Sequence, residues 1–444
     1  MSRVLDERAV VLGAGIAGLL TARVLADRYR EVIVIERDEI TGVADARKGV
    51  PQGRHAHALL ARGQRILEEL LPGLQQELTD SGIYSCDLAG NLRWYFNGAP
   101  LRQMDSGLLS VSATRPQLEQ HVRQRVSALP NVQLREQTLV NRLESADGGS
   151  RIVGVQVTGV ADGSEPELIN AELVVDATGR GSRAPAWLAE LGYQRPDEEK
   201  VTIDLAYTTR LFKLGSNPYD SDLSINSVAR PENPRGAFFP RLDSEVAMLS
   251  LTGILGDHPP RDDDGFLEFT KSLDAKEIYE TIKGSVPVSD AVTFHVPASV
   301  RRRYDKLNRF PDGFLVIGDG VCSFNPVYGQ GMTVAAMEAV ALGKHIDRGP
   351  VQPIRFFREL KPIVDVPWDI SAGGDLAFPA VQGKRSLKVR MGNFYISRLH
   401  SAAQRDGRFT KAFFRVAGLV DPPQALMRPS LMLGIWRTLR SRAN

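Results

Sequence analysis

Gly13, Gly15 and Gly18 stand in the pattern Gly-x-Gly-x-x-Gly, and a carboxylate, Glu36, follows about 20 residues later. These residue types at this spacing bind a phosphate-linked nucleotide rather than react with it. Gly13 permits a tight turn, Gly15 lets the backbone approach a pyrophosphate, and Gly18 lets a helix pack closely on a strand, with the phosphates at the helix N-terminus. Ala17, inside the pattern, and Arg37, directly after the carboxylate, belong to the same set. Glu36 is placed to accept hydrogen bonds from an adenosine ribose. Its charge repels a 2′-phosphate, so the expected dinucleotide is FAD or NAD rather than NADP.

The elements that must position these residues are legible around them. Ala9-Val10-Val11-Leu12 reads as a short apolar strand, residues 19–26 as a helix, and Glu31-Val32-Ile33-Val34-Ile35 as a second strand that ends at the carboxylate. Far along the chain, Phe314-Leu315-Val316-Ile317 reads as a buried strand that turns at Gly318-Asp319. A helix from Met332 is entered through Gly329-Gln330-Gly331. Asp319 can bond ribityl hydroxyls, and the amides of Gly331 and Met332 at a helix start favour negative charge on a flavin pyrimidine edge. This late segment resembles that of the class A flavoprotein monooxygenases, which have the para-hydroxybenzoate hydroxylase fold, and the resemblance selects FAD.

Further segments resemble the same family. Thr114-Arg115-Pro116-Gln117-Leu118 looks like the family's Arg-x-x-Leu segment, which implies that Arg115 reaches the FAD phosphates. Asp176-Ala177-Thr178-Gly179 resembles its middle fingerprint, in a form closer to geranylgeranyl reductases and halogenases. The stretch from Arg47 to Leu60 resembles a branch of actinobacterial flavin epoxidases and hydroxylases that act on polyketides. The resemblance implies that Arg54 and His55 face the flavin, Arg54 holding negative charge on the reduced ring and His55 or His57 capping it, before a helix over 59–70. Pro326 and Gly329 would then sit beside the reacting flavin edge and leave room for O2. A metal is not expected, because no cysteine or carboxylate cluster accompanies His55 and His57.

The resemblance implies an α/β fold: a Rossmann-type FAD-binding domain, an inserted β-sheet substrate domain and a helical C-terminal region. Residues 1–85, 111–195 and 299–350 would form the FAD-binding domain, 86–110 a hairpin and 196–298 a sheet of the substrate domain, and 351–444 the helical region. Asn97-Gly98 between strand-like flanks is the hairpin signal. Val366 to Asp375 reads as a pocket-lining turn that includes Trp368.

Composition fits a compact enzyme of 444 residues. A formal net charge of +2 gives no reason to expect nucleic acid, and Cys86 and Cys322 are too few for a disulfide framework, which suits the cytoplasm. No stretch approaches the roughly 20 apolar residues of a membrane span. The basic, apolar-interleaved tail from Lys384 reads as a solvated face over a buried stripe, with a membrane-surface or carrier-protein contact as the alternative.

The resulting expectation is an FAD-dependent monooxygenase, with FAD bound non-covalently, that acts through a flavin C4a-hydroperoxide on a large apolar, polyketide-type small molecule, free or carrier-bound. NAD(P)H or reduced flavin from a separate flavin reductase would supply electrons, and O2 the oxygen. No residue stands out as a substrate base, which tilts the reading to epoxidation or hydroxylation of an electron-rich carbon. A redox-silent FAD-containing cyclase and a geranylgeranyl-reductase-like saturase share every motif and remain open.

Overall fold

Runs of β-branched and aliphatic residues build the central sheet. Val10, Val11, Val32, Val34, Val174 and Val175 are fully buried on strands that need both faces covered, the pattern of a parallel sheet. The computed structural model describes residues 6–43, 46–47, 49–161 and 163–441. In it five parallel strands lie in the order Phe314–Val316, Leu173–Asp176, Asp6–Leu12, Tyr29–Ile35 and Val132–Arg135. Val10 lies opposite Ile33 on one side and Val174 on the other. The first and the late motif therefore leave the same edge of one sheet, although some 300 residues separate them.

Helix Ile16–Ala26 follows the first strand, and helix Gly331–Ile346 packs against it. Helix Arg115–Ser127 opens on a capping box, in which Thr114 accepts from the Gln117 amide and Gln117 accepts from the Thr114 amide. The helix read over 59–70 runs Ala61–Leu70.

Among the described residues a nine-stranded sheet stands beside this unit, with Glu198–Lys213 and Val292–Arg302 as its long pair toward one edge. Strands Leu92–Phe96 and Ala99–Pro100 close its far edge. Asn97 and Gly98 between them both have positive φ, as a two-residue hairpin turn requires.

The region from Val366 to Asp375 differs from the sequence reading. It is the last part of a helix, Pro353–Asp375, that contains Pro362 and Pro367. Proline and the Gly373-Gly374 pair signal a turn locally, but Phe356, Phe357, Leu360 and Val364 bury one face in the main core, and that packing carries the helix through. Helices Leu387–Ala403, Gly407–Ala417 and Pro429–Arg440 then build a second core from Leu399, Phe409, Phe414 and Ile435, shared with Leu92 and Leu101 of the hairpin region. Leu387, Met391, Phe394 and Trp436 of these helices stay exposed. Among the described residues no helix is long and apolar enough to cross a membrane.

Candidate functional site

The glycine turn comes first, because the other groups converge on it. Gly13 has φ +94°, and a Cβ on it would lie 2.9 Å from the Ala177 carbonyl oxygen. A Cβ on Gly18 would lie 1.8 Å from the Gly13 carbonyl oxygen, so only glycine lets the helix sit this close to the turn. Gly15 caps helix Ile16–Ala26, and a Cβ there would meet only ordinary contacts, nothing nearer than 3.7 Å, the nearest atoms belonging to Glu119, Arg115 and Arg47.

Those three side chains form a buried charge network with Glu36. Glu36 accepts from the Ala14 amide at 2.9 Å and the Asp38 amide at 3.1 Å, and meets Arg47 at 2.7 Å. Burial opposes its charge, but the Arg47 guanidinium and the two amides outweigh burial and hold its carboxyl below the usual range. Arg47 likewise keeps its charge despite burial, through Glu36, Glu119 and Asp38. Its Nε and Nη2 have no hydrogen-bond partner among the described residues. Arg115 donates to Glu119 at 2.9 and 3.0 Å. Arg37 is largely exposed beside Asp38.

The late motif closes on the same place. A Cβ on Gly318 would lie 3.0 Å from that of Ala17, so the two turns touch. Glu338, fully buried in helix Gly331–Ile346, accepts from the Gly318 amide and fixes the turn; burial pushes its carboxyl up to about 8. Asp319 is part-exposed, 3.6 Å from Arg180. A Cβ on Gly331 would meet only Asp319 Oδ1, at 3.7 Å, and Met332 is buried behind it. Gln330 is buried with both amide atoms unpartnered among the described residues. Asp176 of the middle segment accepts from Thr178 and Ser182 and so serves its own turn.

A cavity of about 2000 Å³ opens on the other side of the loop Pro326–Tyr328. Its wall combines Pro326, Val327, Tyr328 and Gly329 with sheet residues such as Tyr207 and Phe238, and with Trp368, Phe394 and Phe414 of the C-terminal helices. Gly329, at φ +65°, caps the loop against Ala58.

The segment around His55 lines the border between the two regions. Arg54 is exposed at the end of a short turn, Pro51–Arg54. His55 is buried between Tyr207 and Phe294, with Nδ1 2.7 Å from Thr209 Oγ1, which in turn meets Ser250 Oγ at 2.6 Å. Burial, aided by the charge of Arg54, pushes its titration down to about 4, so it is neutral at pH 7. His57 donates from Nδ1 to the His55 carbonyl at 2.9 Å, which leaves Nε2 as an acceptor, and burial pushes it down to about 3. His57 lines the cavity. Lys48 of this segment lies outside the described residues.

The structure thus brings Gly13, Gly15, Ala17, Gly18, Glu36 and Arg115 together with Asp319, Gly331 and Met332, and leaves Arg37 and Arg54 at the exposed margin. Sequence reasoning assigns no role to Arg47, Glu119 or Gln330, and it does not pair Tyr328 with Asp375. Glu119 carried a signal, one helical turn beyond Arg115. The unhindered approach at Gly15 and Gly331, the Arg47 Nε and Gln330 amide atoms without hydrogen-bond partners among the described residues, and the charged Glu36 carboxylate fit a flavin dinucleotide.

The family model described as "FAD binding domain" matches residues 6–348. Protein Rv3254 of Mycobacterium tuberculosis is 34% identical over 342 residues, covering 75% of this chain and 71% of that protein. A kynurenine 3-monooxygenase of Salinispora arenicola is 27% identical over 393 residues, covering 82% and 78%. Among solved structures, the flavin-dependent brominase Bmp2 superposes with a TM-score of 0.68 at 13% identity, covering 98% of this chain and 99% of its own, a likeness of fold alone. With the family model spanning more than half of its length, this chain belongs to the FAD-binding family of flavin-dependent monooxygenases: it is an FAD-dependent oxidoreductase.

Proposed function

We propose that this enzyme inserts one oxygen atom from O2 into a large apolar, polyketide-type metabolite, by epoxidation or hydroxylation of an electron-rich carbon. The cavity of about 2000 Å³ beside the Pro326–Tyr328 loop carries this reading. It exceeds the few hundred to a thousand Å³ of ordinary ligand pockets, and its aromatic and aliphatic wall suits a multi-ring or long-chain body. Reduced FAD supplies the activation of O2.

The chain's residues hold and shield. Gly13, Gly15, Ala17 and Gly18 receive the pyrophosphate, with Arg115 and Arg47 balancing its charge, and Glu36 with Arg37 takes the adenosine end. Asp319, Gly331 and Met332 bind the flavin side. Arg54 supplies positive charge at the margin, while His55, neutral at pH 7, serves as an uncharged hydrogen-bonding group. Pro326 and Gly329 keep the reacting edge free of bulky side chains, and the apolar wall excludes water. Electrons come from NAD(P)H, directly or through a separate flavin reductase.

Anaerobic reduction of the FAD-loaded protein, followed by rapid mixing with O2, tests this. Flavin absorbance should return in two spectrally distinct phases, the second slow, as in a site that protects an oxygenated state. A single fast return would remove the oxygenase reading.

A further inference from the structure

The sequence offers no substrate base, yet the structure places a carboxyl in the cavity wall. Asp375 is the last residue of the long helix, 1% exposed, and belongs to the wall together with Asn325 and Tyr328. Its Oδ1 accepts from Asn325 Nδ2 at 2.8 Å and from the Tyr328 hydroxyl at 3.2 Å. Its Oδ2 is buried without a partner among the described residues. The contact is built in: a Cβ on Gly374 would lie 2.3 Å from the Tyr328 hydroxyl oxygen, so glycine there admits the phenol. Asn325 and Tyr328 flank Pro326 and Val327, which puts this carboxyl directly behind the loop assigned to the reacting edge.

We propose that Tyr328 and Asp375 form a two-member proton relay in the cavity wall, and that the substrate presents an enol or phenol hydroxyl to it. The inference rests on the oxygenase reading above and narrows its substrate class. In the relay the substrate O–H bond breaks and its proton passes to Tyr328 Oη, while the tyrosine's own proton passes to Asp375. The electron pair stays on the substrate oxygen, and the enolate or phenolate is electron-rich at the adjacent carbon. No electron changes hands in this step. Tyr328 touches the substrate, and Asp375 acts through it.

Charge balance supports the direction of transfer. Asn325 and Tyr328 of the loop bond Asp375, and Tyr207 of the sheet feels its charge; the Arg180 guanidinium acts on Tyr207 and does not offset the burial of Asp375. Burial pushes its carboxyl up to about 7, against the smaller opposing effect of the two hydrogen bonds. A carboxyl in that range can both take and return a proton near neutral pH. Burial and the Asp375 charge also raise Tyr328 well above the usual phenol range, so it conveys a proton without remaining ionised.

Binding of 2-naphthol to the FAD-loaded protein, measured by equilibrium dialysis, tests the relay independently of turnover. Between about pH 5.5 and pH 8.5 the probe's own hydroxyl, in the phenol range near 10, does not titrate. Wild-type affinity should rise about 5–10-fold through a midpoint near 7, as a neutral acceptor becomes a charged one. Asp375→Asn and Tyr328→Phe should both be flat, and naphthalene should bind all three proteins without pH dependence. Absent or pH-independent wild-type binding overturns the proposal, as does a midpoint that survives in Asp375→Asn. If Asp375→Asn does not retain FAD, an unchanged midpoint in Tyr328→Phe overturns it instead. The pH dependence can appear whether flavin absorbance returns in one phase or two, so the relay and the oxygenase reading fail separately.

Discussion

The dinucleotide end and the cavity end of this protein treat charge in opposite ways. At the glycine turn, Glu36, Arg47, Arg115 and Glu119 are all largely buried and all paired, and Glu36 and Arg47 keep their charges because each has the other. Around the cavity, His55, His57 and Asp375 have no such counter-charges, and burial drives each toward its neutral form. The first region is built to hold a fixed, permanently charged ligand, where prearranged partners lower the cost of burying a phosphate. The second admits an apolar guest and keeps its few polar groups uncharged until one of them is needed.

The strongest test of the first region is steric. Gly18→Val would drive a side chain into the Gly13 carbonyl, and should cost about 3 kcal/mol or more and yield protein without flavin. Thermal melting and flavin content after purification would show it, and a stable yellow variant would mean that the turn is not as tight as described. Arg47→Ala tests the pairing itself. Leaving Glu36 buried without its cation, while Glu119 keeps Arg115, should cost about 3–5 kcal/mol near pH 7. The loss should shrink toward pH 5, because a Glu36 carboxyl deprived of Arg47 takes up a proton more readily. Denaturant unfolding at both pH values would check it, and a loss that does not vary with pH would break the contrast between the regions.

Asp375→Asn should do the reverse. The Asp375 carboxyl is raised from 3.8 to about 7, so between those values the folded protein holds a proton that the unfolded chain has released. Stability of the wild type therefore falls as the pH rises through this window. The asparagine variant lacks that dependence, and above pH 7 should be the more stable protein by about 2–4 kcal/mol. Urea unfolding at about pH 5 and about pH 8 would reveal the crossover. Equal slopes for the two proteins would mean that Asp375 ionises normally.

The two regions also differed in how far the sequence revealed them. The glycine turn, both flanking strands and the late Gly-Asp turn are local patterns, each set by a few neighbouring residues, and they are where the sequence places them. Arg47 was hidden because its partners lie 11 residues before it and 72 after it, and nothing in its own neighbourhood marks it as buried. Asp375 was in view but misread. Pro367 and Gly373-Gly374 look like turn residues until the core formed by Phe356, Leu360 and Val364 is known, and only the helix brings Asp375 to Tyr328. The neutral state of His55 was likewise invisible, because it comes from burial among Tyr207 and Phe294 on distant strands. What depends on burial and on long-range pairing is the part that a linear pattern does not carry.

The finest test concerns His55, on the border between the regions. Thr209→Val removes the hydroxyl that joins His55 Nδ1 to Ser250, and should cost about 1–2 kcal/mol while flavin content stays unchanged. Because His55 titrates only near 4, that cost should be the same at pH 8 and at about pH 6. A histidine raised above its unfolded value would instead lose stabilisation as the pH rose. His55 is depressed from 6.5 to about 4, so whatever burial costs it grows as the pH falls from about 6.5 to about 4, where the unfolded chain binds a proton that the folded protein refuses, and it grows equally in both proteins. A Thr209→Val penalty that already changes between pH 8 and pH 6 would place a charged histidine at the border, and the cavity side would no longer be the neutral half of the comparison.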